Sequence, residues 1–106
     1  MAGVGENLLT EEFVEKNLKE ICHLLSQNND EEFLYNFFDC LFTSNEMVDF
    51  AKRWQLVKEL DSGVTQREIA KKYNMSLCKI TRGSKMLKSD DSAFRKLLDL
   101  LKSDSK

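Results

Sequence analysis

Apolar residues recur along this chain at intervals of three and four, and short polar stretches cut the pattern into six helical segments. Residues 1–9 precede the first segment; they contain Gly3 and Gly5, show no periodicity and are expected to form a loose arm. Thr10, followed by Glu11 and Glu12, predicts a helix start, and Val14, Leu18, Ile21 and Leu25 then mark a stripe that runs to about Ser26. Gln27-Asn28-Asn29 breaks it. A second helix is expected from near Asp30, with Glu31 and Glu32 in its first turn and an interior, Phe33 to Phe42, that is apolar nearly all round. Thr43-Ser44-Asn45-Glu46 has the spacing of a capping box and opens a third helix. Val48 or Phe50, Ala51, Trp54, Val57 and Leu60 run along it until Gly63 stops it. The last helix follows the polar link Ser89-Asp90-Asp91-Ser92, with Ser92 as its cap. It is expected to bury Phe94, Leu97, Leu98 and Leu101 and to fray over Ser103–Lys106. The chain has no proline, no sustained apolar–polar alternation and no hairpin dipeptide, so the expected fold is all-α, a single helical domain over residues 10–106.

The two segments between Gly63 and Ser89 are the most specific. Thr65 with Glu68 three residues on is a second capping box, and Ile69, Ala70 and Tyr73 share one face of the helix it starts. Asn74 stands where a left-handed residue is needed, a conformation Asn tolerates well. Ser76 can cap the next helix, whose inner face is read as Leu77, Ile80 and Gly83 or Ser84. Ala70 provides a close crossing; a turn residue follows four later and β-branched Ile80 six after that. This is helix-turn-helix spacing, over about residues 65–88. A helical hairpin with no DNA role is the competing reading.

Charge supports the first. The net charge is only −2, but residues 1–45 hold nine acidic and two basic side chains, whereas residues 46–106 hold nine acidic and fourteen basic ones. Within 65–88 seven basic residues (Arg67, Lys71, Lys72, Lys79, Arg82, Lys85, Lys88) face a single acid, Glu68. Basic charge concentrated on the motif is what phosphate binding requires, although a solvated face would look similar. The second helix bears on assembly. A helix apolar on all sides needs cover on all sides, so a homodimer is expected, the alternative being that this helix is the centre of a monomeric core.

Other classes lose ground. Cys22, Cys40 and Cys78 are odd in number and lack metal or redox spacing, no apolar run is of membrane length, and Met1–Glu6 is not expected to act as a signal peptide. A reduced, cytoplasmic setting is expected. Cys22 and His23 are adjacent, hence about 100° apart on a helix and poorly placed as nucleophile and base. With no phosphate loop and no acid–base carboxylate pair, an enzyme is not expected, nor a metal or a cofactor.

In this order of helices, Leu41-Phe42-Thr43, Arg53, Val57-Lys58-Glu59-Leu60, Thr65-Gln66-Arg67-Glu68-Ile69, Ile80-Thr81-Arg82-Gly83-Ser84 and Leu87-Lys88 resemble the tryptophan repressor family. The resemblance covers about Phe33 to Lys102; before that it rests on helix pattern. It implies an intertwined dimeric core, a helix-turn-helix reading head and L-tryptophan as corepressor. It also implies a palindromic double-stranded DNA operator controlling tryptophan biosynthesis or uptake. For the ligand it implies Cys40, Phe42, Thr43, Arg53, Val57, Arg82, Gly83 and Met86. Arg53 and Arg82 would sandwich the indole, Arg82 or Arg53 with Thr43 would meet the carboxylate, and the carbonyls of Cys40 and Phe42 from the partner subunit would meet the ammonium. For DNA it implies Gln66, Arg67, Lys71, Leu77, Cys78, Lys79, Thr81, Arg82 and Lys88. The chain departs from the family pattern at Met86, where a small hydroxyl residue is usual, and at Lys79, where a small residue is. Trp54 and a link near Asp61–Val64 one residue shorter are further departures. A DNA-binding dimer that is constitutive or takes another ligand remains an alternative, and a helical protein-interaction module is one of a different class.

Overall fold

Short polar side chains start the helices by taking up their first amides. In the computed structural model, which describes residues 10–104, Thr10 accepts from the Phe13 amide and begins α1 (Glu11–Ser26). Asp30 accepts from the Glu32 amide and begins α2 (Glu31–Leu41). Next come α3 (Ser44–Asp61), α4 (Gln66–Tyr73), α5 (Leu77–Lys88) and α6 (Ala93–Asp104). No strand occurs among the described residues, and none of their helices is long and apolar enough to cross a membrane. The expected arm over 1–9 and the fraying at Ser105 and Lys106 lie outside the described residues, and α6 continues through Ser103 to Asp104.

The chain divides into two units, residues 1–43 and 44–106. In the first, α1 and α2 hold no buried residue. Of the expected α1 stripe, Val14 and Leu18 are exposed while Ile21 and Leu25 are half-buried. Phe13, Leu24, Phe33, Tyr35 and Leu41 are also largely exposed. Ile21, Leu24, Leu25, Phe33 and Phe37 line an apolar hollow.

The second unit has a core. Leu56 of α3, Ile69 of α4 and Ile80 of α5 are at most 2% exposed and pack together, flanked by Leu60, Val64, Ala70, Tyr73 and Met75. The α3 stripe differs from expectation: Val48, Phe50 and Ala51 are exposed, and burial begins at Leu56 and Val57. In α6 only Leu98 is buried; Leu97 and Leu101 lie outside at 51% and 45% exposure.

Gly63, at φ 97°, closes α3 with paired bonds from its own amide to Leu60 O and from the Val64 amide to Glu59 O. The left-handed residue turns the chain and delivers Val64 to the core. Thr65 accepts from the Glu68 amide, Asn74 is left-handed at φ 52°, and Ser76 accepts from the Lys79 amide. The two capped helices and the turn between them are therefore formed as read. Gly83 lets α5 lie close on α3, since a Cβ there would stand 3.0 Å from Leu56 Cδ2.

Two acids at the end of α3 tie the other helices down. Glu59, 8% exposed, takes Lys72 Nζ of α4 at 2.7 Å. Asp61 takes Arg95 at 2.7 Å and Lys102 at 2.9 Å, both from α6. The Lys72 hydrogen bond, seconded by Tyr73, holds the Glu59 carboxyl below its ordinary value. Arg95 and then Lys102 do the same for Asp61. A carboxylate lowered by folding stabilises the fold above its unfolded pKa, and that contribution is lost as pH falls through the folded value. Glu59→Gln is thus expected to flatten the acid limb of stability as pH falls below about 4.3, the ordinary value of a Glu carboxyl. Denaturant midpoints across that range read it; an acid limb as steep as wild type would show that Glu59 contributes nothing to it.

Candidate functional site

Where α5 lies close on α3 at Gly83, a cavity opens beside the contact. The cavity, about 150 Å³, is lined by Arg53, Leu56 and Val57 of α3, Lys79, Arg82 and Gly83 of α5, and Phe94 of α6. Leu56 and Val57 are buried and give it an apolar floor, while Arg53, Lys79 and Arg82 are exposed residues that bring cations to its wall. The lining contains no acidic residue. Such a space suits a flat apolar body that carries an anionic group.

Four of the residues expected at a ligand, Arg53, Val57, Arg82 and Gly83, meet in this one lining. Met86 does not join them; it is 39% exposed and lines a neighbouring hollow with Ser89, Asp90, Asp91, Ser92 and Phe94, the last of which the cavity shares. Cys40, Phe42 and Thr43 belong to the first unit. There the Phe42 amide donates to Phe38 O at 2.9 Å as α2 ends, so the Cys40 carbonyl is among the last of α2, which have no intrahelical donor. Leu56, Phe94 and Lys79 also line the cavity, and the sequence reading had not put them at a ligand. Leu56 lies one residue before Val57, a signal that was available. Phe94 is 37 residues beyond it in sequence and carried no local signal.

On the outer side of the motif, Arg67, Lys71, Leu77, Cys78, Lys79, Thr81, Arg82 and Lys88 are all exposed, and Gln66 is half-buried. Leu77 corrects the reading of α5: it was placed on the inner face and is 62% exposed. As the first residue of α5, its side chain leans toward the helix N-terminus and past the contact with α4. Both Gly83 and Ser84, the alternatives for the next turn, are buried.

The seven basic residues of the patch divide by function. Lys72 is bonded to Glu59 and lies 5.5 Å from the centre of the Tyr73 ring, so it serves the fold. Arg67, Lys71, Lys79, Arg82, Lys85 and Lys88 enter none of the ion pairs among the described residues. Their charge is left for a ligand or a phosphate. Cys22, Cys40 and Cys78 are free and exposed, and the described residues contain no group of three or more side chains suited to a metal ion.

Comparison with known proteins gives a consistent picture. A family model described as Trp repressor protein matches residues 16–102. A Trp operon repressor homolog of Chlamydia trachomatis serovar L2 is 41% identical over 76 residues, which cover 71% of this chain and 81% of that protein. A homolog of the same description from Chlamydia caviae is 35% identical, with coverage of 85% and 90%. One from Haemophilus influenzae is 33% identical, with coverage of 77% and 85%. No solved structure matches the chain.

Proposed function

The chain belongs to the Trp repressor family, and on that premise we propose that it is a transcriptional repressor activated by L-tryptophan and directed at genes of tryptophan biosynthesis or uptake. The observation that carries this reading is the cavity on α3 and α5. It has an apolar floor and guanidinium groups at Arg53 and Arg82, and it opens on the same helix that presents exposed cations on the motif. A flat indole has apolar surface and guanidinium planes to lie against, and its carboxylate has cations to meet. Occupancy would set how α5 lies on α3, and so how the reading head meets DNA. The shift this gives in DNA binding is limited to the difference in ligand affinity between the two arrangements.

The proposal includes a homodimer. It is supported by the absence of any buried residue in α1 and α2 and, separately, by the exposed Leu97, Leu100 and Leu101 on α6, apolar side chains that a partner copy would cover. In a two-fold dimer the pair of motifs would face successive turns of a palindromic operator. Ammonium acceptors, absent from the cavity lining, would come from the carbonyls of Cys40 and Phe42 at the end of the partner's α2.

The test is calorimetric titration of the purified protein with L-tryptophan, beside DNA binding with and without it. Saturation near one ligand per subunit, together with salt-sensitive preference for an operator over random DNA, is expected. Operator preference unmoved by tryptophan would leave a constitutive or differently liganded DNA-binding dimer. Lack of any DNA binding would favour a protein-interaction module. Lys88, exposed and in no ion pair among the described residues, gives a further expectation. Lys88→Ala should weaken operator and random DNA alike and reduce the salt slope by about 0.9, the release of one phosphate counterion. A loss confined to the operator would instead make Lys88 a base reader.

A further inference from the structure

We propose that Glu59 is a specificity-determining residue for DNA: by neutralising Lys72 it withholds one cation of the motif from phosphate, which weakens binding to random sequence and leaves operator binding unchanged. This extends the DNA-binding reading above, on which it rests, to a residue that touches no DNA. On α4, Arg67 and Lys71 are four residues apart and hence about 40° apart around the axis, whereas Lys72 stands about 140° from Arg67. Arg67 and Lys71 share a face. Lys72 turns to α3 instead, where its Nζ meets Glu59 Oε1 at 2.7 Å and lies 5.5 Å from the centre of the Tyr73 ring. Lys71 enters no ion pair among the described residues.

Burial does not keep Lys72 from DNA, since its side chain is 59% exposed. Charge does. Glu59 is 8% exposed, and its other donors, Tyr73 and Gln55 at 3.5 Å, are neutral. A phosphate that drew Lys72 away would strand a nearly buried carboxylate without its counter-charge, so the pair stays closed and presents no net charge to the duplex. The consequence differs between two kinds of DNA. An operator holds the motif in one pose, with the Arg67 and Lys71 face on the backbone and Lys72 turned from it. Random sequence fixes no single pose, and a free cation on a second face of α4 would give it further ways to dock. Removing the charge of Glu59 therefore adds to random binding alone.

The experiment measures affinity and its salt dependence, with L-tryptophan present, for a random-sequence duplex and for the duplex that the wild-type protein selects from a random pool. Glu59→Gln is expected to bind the random duplex about three- to tenfold more tightly, with a salt slope steeper by about 0.9 per motif engaged, and the selected duplex as wild type does. Combining Glu59→Gln with Lys72→Gln should return random binding to the wild-type value. Lys72→Gln alone, still able to donate to Glu59, should keep the wild-type slope on the random duplex, whereas Lys71→Gln should lower it by about 0.9. That comparison decides the matter should Glu59→Gln fail to fold. An unchanged random slope in Glu59→Gln, a gain that survives the second substitution, equal gains on both duplexes, or a lowered slope in Lys72→Gln overturns the role of Glu59 and leaves the DNA-binding reading standing. A wild type that selects no duplex and binds none in a salt-dependent way overturns that reading, and the role of Glu59 with it.

Discussion

Ile80→Ala is expected to destabilise the second unit by about 2–5 kcal/mol, the range for truncating a fully buried aliphatic side chain. Ile80 is 0% exposed and meets Leu56 and Ile69 where α3, α4 and α5 converge. Leu60, Val64, Ala70, Tyr73 and Met75 flank this cluster, and their partial relaxation into the space left behind sets where in that range the cost falls. Domains of this size are stable by only about 5–15 kcal/mol, so much of the margin would go at once. Urea or guanidinium denaturation reads the loss directly. Because Ile80 is buried while Thr81 and Arg82 are exposed, function should fall with the folded fraction. A cost below about 1 kcal/mol would mean that Ile80 does not seat α5 on its neighbours.

Arg82→Ala is expected to act in the opposite manner, leaving stability near wild type and removing function twice over. Arg82 is exposed, lines the cavity and stands in α5 beside Thr81 on the side proposed to face DNA. A hydrogen bond to a charged group contributes about 1.5–3 kcal/mol, so tryptophan affinity should fall by about ten- to a hundredfold. At saturating tryptophan the variant should still bind the operator less well, since a cation has also left the DNA face. Calorimetry and operator titration separate the two losses. Tryptophan affinity within about twofold of wild type would remove Arg82 from the ligand wall.

The parts of this structure that were legible in the sequence are those decided within one turn of chain. Thr65 and Glu68, Asn74, Ser76 and Gly63 each set backbone geometry for the next few residues, and each does so here. Arg53, Val57, Arg82 and Gly83 could be grouped because helix order and the family pattern brought them together, and they share one cavity. What was not legible depends on pairing across the chain. Asp61 meets Arg95 from 34 residues away, and nothing local marks either as a partner. Lys72 looked like any other cation of the patch until Glu59 was seen against it. Periodicity placed Leu77 inward because spacing gives the face of a helix but not how far along its axis the contact extends. The same limit applies to Leu97 and Leu101, which lie on an apolar stripe that the single chain does not cover.

Among the described residues none before Leu56 is buried. Given the proposed dimer, this distribution makes abundance part of the fold. As concentration falls and dimers separate, α1 and α2 lose their cover first, while the cluster around Ile80 persists. Proteases would then find a substrate in the dissociated chain before the second unit had opened. Scarce protein would be cleared faster than plentiful protein, and the supply of repressor would respond to its own concentration with no further component.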